Sequence, residues 1–125
     1  MRIETYFQSI RHDIEAYAII ILSTVTYDKR GAHEGFIRGE LTFSDGSTLH
    51  LREFVDVKST VDRLMYAYQY MDADDNLVFR YDNSGHHREL NLPTYPHHKH
   101  DGSQHNIISS SAPYLNEVLA EIEDS

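Results

Sequence analysis

Apolar positions along the chain fall into two regimes. Ile3, Tyr6, Phe7, Ile10 and Ile14 recur at helical spacing, which predicts an amphipathic helix over residues 2 to 14 with one buried stripe. From "AYAIIILSTVTY" onward the pattern changes to β-branched and aromatic residues at shorter periods, bounded by turn signals. It predicts strands at 17–27, 35–43, 48–57, 62–71 and 77–83. The second and third are separated by "SDGS", where Asp45-Gly46 supplies the positive φ of a tight hairpin turn. "DADDN" at 72–76 joins the fourth and fifth by a slightly longer turn. Such short connections fit an antiparallel meander, since parallel strands would need crossovers that the chain lacks.

After the fifth strand the chain reads as irregular, punctuated by Gly85, Pro93, Pro96 and Gly102. In "SSAPYLNEVLAEIEDS" a serine cap and Pro113 in the first turn introduce a second helix, with Leu115, Val118, Leu119 and Ile122 on one face. The expected architecture is a single α+β domain over residues 1–125. A helix at each end of the chain packs on a curved, five-stranded antiparallel sheet.

Composition narrows the function classes. The chain has 125 residues and no cysteine, which excludes disulfides, thiolate metal sites and a cysteine nucleophile. A reducing compartment, the cytoplasm by default, is the expected location. "MRIETYFQSIRHD" has no signal-peptide apolar region, and the longest aliphatic run, "AIIIL", is far too short to span a membrane, so no membrane partner is expected. Twenty acidic against eleven basic residues give a net charge of −9, which opposes bulk attraction to a phosphate backbone. Residues 80–105 are an exception: Arg80, Arg88 and Lys99 balance Asp82, Glu89 and Asp101 before any histidine is counted. That segment becomes locally positive when its histidines, with ordinary pKa values near ~6.5, take up protons.

Strand faces select further candidates. Glu53 shares a face with Leu49, Leu51, Val55 and Val57, so its carboxylate stands in an apolar row. Either it reaches solvent or an arginine near the strand end, or it is a pocket carboxylate whose pKa is raised. Leu64, Tyr66, Tyr68 and Tyr70 alternate along the fourth strand, as core packing or as a stripe on which bases could stack.

The densest chemistry lies in "RYDNSGHHRELNLPTYPHHKHDG", which holds five of the nine histidines. Arg80 and Asp82 face the same way in the fifth strand, which delivers the chain into His86 and His87. In "PHHKH" an extended backbone puts His98 and His100 on one face and His97 and Lys99 on the other. Three readings are open. The histidines could brace a loop through backbone carbonyls. They could act as general acid and base in metal-independent RNA cleavage, with Arg80 and Lys99 stabilising the phosphate. Or His98 and His100, with Asp82 or a member of the His86-His87 pair, could ligate a divalent transition metal such as zinc. Between the last two, use without a cofactor is expected, because the segment offers Arg80 and Lys99 for phosphate charge while its carboxylates are few.

The order "GFIRGELTFSDGSTLHLREFV", "YAYQYMDADDNLVFRYDNSGHH", "PHHKH" and a closing helix resembles the TumE-like family of toxins from toxin-antitoxin pairs. The specific part is carried by Tyr66, Tyr68, Asp72, Arg80, Tyr81, Asp82, Asn83, His86, His87, Pro96, His97, His98, Lys99 and His100. Gly85 stands where the family pattern often has proline. The resemblance implies a toxin neutralised by direct binding of a helix-turn-helix antitoxin. By analogy with small α+β toxins that cut mRNA, it suggests an endoribonuclease. Catalysis would then fall to His86, His87, His97, His98, His100, Arg80, Asp82 and Lys99, with Tyr66, Tyr68 and Glu53 holding the RNA. A non-enzymatic or metal-binding module whose role lies in its partner is the alternative, and a homodimer is left open.

Overall fold

The computed structural model describes residues 1–125. Its elements run α1 (Ile3–Glu15), β1 (Ile20–Lys29), β2 (Glu34–Phe43), β3 (Thr48–Asp56), β4 (Asp62–Met71), β5 (Leu77–Asp82), a 3-10 helix (Gly85–Leu90), β6 (His98–Asp101), β7 (Ile107–Ser109) and α2 (Leu115–Glu123). All seven strands form one sheet in chain order, every neighbour antiparallel. The sheet therefore has seven strands rather than five. β6 and β7 lie in the segment expected to be irregular, because "HKHD" and the three residues Ile107–Ser109 show no apolar alternation.

Helix and strand boundaries follow local chemistry. The N–H groups of Ala16 and Tyr17 bond to the carbonyls of His12 and Ile14, and Ile20 N–H bonds to Tyr17 O. This turn occupies residues expected in the first strand and delays β1 to Ile20. At the second helix the cap is Tyr114, not a serine. The Glu117 carboxylate accepts from the Tyr114 N–H at 3.0 Å, the reciprocal half of a capping box. Pro113 stands before the helix, its carbonyl accepting from Arg63 at 2.6 Å. The Asp45-Gly46 hairpin forms as expected, with Gly46 at φ +86°.

The core is one-sided. Ile3, Tyr6, Phe7, Ile10 and Ile14 of α1 and Leu115, Val118, Leu119 and Ile122 of α2 join Ile37, Leu41, Leu49, Leu51 and Val55 in a single cluster. Tyr66, Tyr68, Tyr70, Phe79 and Tyr81 extend it along β4 and β5. Each fully buried aliphatic side chain contributes about 1.5–3 kcal/mol. Both helices thus cover the face that carries the odd-numbered residues of β2 and β3. The even-numbered face, with Arg38, Glu40, His50 and Arg52, carries no α-helix. No helix is long and apolar enough to cross a membrane.

Gly35 lets α1 approach the sheet, because a Cβ there would meet the Phe7 ring at 2.5 Å and Ile3 Cγ1 at 2.7 Å. Gly35→Ala is expected to cost about 1–3 kcal/mol in urea unfolding, as overpacking does. Gly31→Ala, where a Cβ meets nothing within 4 Å, serves as the near-neutral control. Equal stabilities of the two variants would show that α1 does not lie this close.

Candidate functional site

Strand pairing assembles the site. β5 and β6 pair with Arg80 opposite His100 and Asp82 opposite His98. All four point to the face that carries no α-helix, since side chains alternate along a strand. Past Asp82 the chain turns at once: Ser84 N–H donates to Asp82 Oδ1 at 3.0 Å, an Asx-type turn into the 3-10 helix. A kink within that helix falls at His87. The His87 ring lies 4.9 Å from that of His98 and 5.4 Å from that of His100, which are 5.1 Å from each other. Asp82, His98 and His100 are buried, and His87 is half-buried.

Hydrogen bonds fix the neutral tautomer of two of these rings. His98 Nδ1 lies 2.9 Å from Pro96 O, and His100 Nδ1 lies 2.9 Å from Gln104 O. A carbonyl only accepts, so Nδ1 is the donor in each ring and Nε2 of the neutral ring carries a lone pair. His98 Nε2 comes within 2.9 Å of Asp82 Oδ1, yet it is buried without a hydrogen-bond partner. The carboxylate is close but off the axis along which this nitrogen could bond. His100 Nε2 is 3.6 Å from Asp82 Oδ2, and Arg80 Nε donates to the same oxygen at 2.8 Å. Burial pushes the Asp82 carboxyl up, but the Ser84 N–H, the Arg80 guanidinium and His98 outweigh it and hold the group below the usual range. Burial lowers the pKa of His100 against the opposing pull of Gln104 O and Asp82.

Arg80, Asp82, His87, His98 and His100 are therefore brought together. The other sequence candidates are not. Lys99 points to the helical face, 3.6 Å from Glu121 and over the Tyr81 ring. His97 lies on that side too, its Nδ1 2.8 Å from the Tyr66 hydroxyl and its ring stacked on Tyr66. His86 is exposed outside the cluster. Tyr68 and Glu53 are in the core.

Two functional candidates escaped the sequence reading. Arg38 and Arg52 are exposed on the helix-free face and stand directly opposite each other across β2 and β3. Neither forms a salt bridge. Together with Arg80, Gln69 and His50 they line a depression of about 540 Å³ that runs across β1–β5. The hairpin register about Asp45-Gly46 was the available signal, because it pairs "FIRGE" with "HLREF" and sets the two arginines face to face.

A family model described as Toxin TumE matches residues 10–125 of this chain. The chain belongs to the TumE toxin family. Comparison with curated proteins and with solved structures gave no match. Membership of the TumE family implies an antitoxin partner in general terms.

In this TumE-family chain Glu53 neither reaches solvent nor meets an arginine directly. Its carboxylate accepts from the Tyr6 hydroxyl and, at 2.7 Å, from the Tyr68 hydroxyl, which in turn lies 3.2 Å from Arg63 Nη1. Burial raises its pKa against the two tyrosine donors and Arg63. The folded protein therefore keeps this proton to higher pH than the unfolded chain does. The associated stability is full below the ordinary value of 4.5 and is lost as pH rises through the folded value. The difference in unfolding free energy between wild type and Glu53→Gln is expected to fall as pH rises from below 4.5 towards neutrality. Denaturant titrations at several pH values would check this; a flat difference would mean that folding leaves the pKa of Glu53 unchanged, and a rising one that folding favours its charged form.

Proposed function

We propose that this toxin is an endoribonuclease that holds RNA on the helix-free sheet face and cuts it beside Arg80, Asp82 and His87. One observation carries the reading. Arg38 and Arg52 are like charges directly opposite each other on neighbouring strands, a destabilising arrangement, and neither makes a salt bridge to a carboxylate. A chain with twenty acidic residues has ample means to pair them. Leaving them bare on an open face suits a polyanion that arrives from outside. Arg80 extends the row towards the histidines, with its Nη1 braced by Gln69 at 2.9 Å and its Nε by Asp82. A guanidinium held on two sides is pre-organised, and its remaining N–H groups suit a phosphate oxygen.

The spacing of the strands suits an extended strand of RNA. Arg38 and Arg52 sit on neighbouring strands about 5 Å apart in the pairing direction, and Arg80 lies two strands beyond Arg52. A backbone crossing the sheet would meet them in turn and reach His87, the member of the cluster with a path to solvent. Net charge explains the need for such a row: the acidic remainder repels RNA, so affinity has to come from this face. The same face suits a basic helix-turn-helix antitoxin poorly, and the acidic surface elsewhere suits it well. Neutralisation would then come from a partner docked beside the row and shielding it.

The Arg38→Ala/Arg52→Ala double variant, both positions being exposed, is expected to keep the wild-type fold. It should lose RNA affinity by roughly tenfold per arginine, the range of a charge-assisted contact. The slope of log affinity against log salt should fall by about 0.7 for each phosphate contact removed. His87→Ala should retain RNA binding and lose cleavage, and both variants should relieve growth inhibition. Wild-type toxicity and RNA affinity in the double variant would overturn the reading.

A further inference from the structure

We infer that His87, His98 and His100 form a binding site for one divalent transition metal ion of the zinc type. Each ring offers a nitrogen, and the three candidate ligand atoms lie within 4.8 Å of one another. Bonds of about 2.1 Å to a tetrahedral ion put ligand nitrogens ~3.4 Å apart, so a modest inward movement completes the set. His87 is free to make it, standing at the kink of a short 3-10 helix whose residues are exposed on either side. The site stands on this geometry and does not depend on RNA being the substrate.

Three features separate this cluster from histidines that merely brace a loop. First, His98 and His100 both spend Nδ1–H on backbone carbonyls, which presents Nε2 as a lone pair; metal-ligating histidines are oriented in this way. Second, His98 Nε2 is a buried polar atom with no partner, in a residue only 2% exposed. A buried acceptor left bare is costly, and an ion on the ring axis would satisfy it. Third, Asp82 Oδ1 stands 2.9 Å from that nitrogen, so a bound cation would have an anion beside it.

Of the two third ligands left open by the sequence, Asp82 and a member of the His86-His87 pair, the geometry favours His87. The Asp82 oxygens are engaged by Ser84 N–H at 3.0 Å and Arg80 Nε at 2.8 Å, so Asp82 serves as the neighbouring charge and His87 as the third ligand. Cofactor-free use drew on Lys99 as a second cation, and Lys99 points to the opposite face. Imidazole donors suit zinc, nickel and copper, and three of them leave a coordination position for water or a substrate oxygen. Such an ion would act beside the arginine row as a Lewis acid.

Purified full-length chain, stripped with chelator, should bind Zn²⁺ at one ion per chain by calorimetry, and Zn²⁺ should raise its thermal unfolding temperature. His87→Ala should weaken binding by more than about 100-fold, beyond the roughly 10–100-fold cost of disturbing outer partners. It should also abolish the thermal shift. His87 is half-buried on a surface helix, so this variant tests the site without emptying the core; circular dichroism verifies its fold. A double His86→Ala/His105→Ala variant should bind like wild type. Sub-stoichiometric Zn²⁺, or undiminished affinity in His87→Ala, would overturn the site. Because binding is read without RNA, that failure would leave the arginine row and the ribonuclease reading to be judged separately.

Discussion

Side chains alternate strictly across a strand, and both helices of this protein lie on the same side of the sheet. That pair of facts governs the rest of the molecule. Leu49, Leu51 and Val55 go inward with Glu53 among them, and His50 and Arg52 are left facing outward. Arg80 and Asp82 share the outward face with His98 and His100 because β5 and β6 pair in register, Arg80 against His100 and Asp82 against His98. A one-residue slip in that pairing would exchange His98 and His100 for His97 and Lys99 and dismantle the cluster. The site is thus a consequence of register rather than of loop conformation. Four of its five residues, Arg80, Asp82, His98 and His100, come from strands, where positions are held most firmly; His87 comes from the 3-10 helix.

The same division sorts the ionisable groups by what neutralises them. On the helical side, Glu53 is surrounded by tyrosine hydroxyls, which donate hydrogen bonds without bringing a full charge. On the open side, Asp82 has Arg80 and a backbone N–H, so burial does not neutralise it. Two buried carboxyl groups in one small domain are consequently held in opposite directions by their neighbours. The one that stays charged stands next to three imidazoles. A persistent anion beside ring nitrogens favours cations there, whether protons or a metal ion.

Much of this was legible in sequence because it depended on local rules. The apolar stripe of Ile3, Tyr6, Phe7, Ile10 and Ile14, the Asp45-Gly46 turn and the alternation in "HLREFV" each announce an element without knowledge of the rest. So did the division of "HHKH" into two faces, since an extended backbone allows nothing else. What escaped depended on partners. β6 is recognisable only by its pairing with β5, because the side chains it buries are His98 and His100 rather than aliphatic residues. Its histidines disguised a strand as a loop. Glu53 was ambiguous for the complementary reason: its partner Tyr6 lies 47 residues away in α1, and no pattern within β3 could supply it.

Arg38 and Arg52 show where sequence reading stops short even when the elements are right. Both strands and their turn were expected, and counting outward from Asp45-Gly46 sets the two residues opposite each other. Their significance appears only once the rest of the face is known to lack a carboxylate for them. Glu40 is on that face, yet it lies near His50, at 4.0 Å, and makes no salt bridge to either arginine. An uncompensated pair of like charges lowers the stability of the hairpin that carries it, by an amount that each folded copy bears whether or not a ligand is present. Anion binding would relieve that repulsion on the face where the histidine cluster also opens. A stability cost in the free protein and a gain on binding would then be two aspects of one arrangement, and under the proposed ribonuclease reading the neighbouring cluster would act on the bound anion.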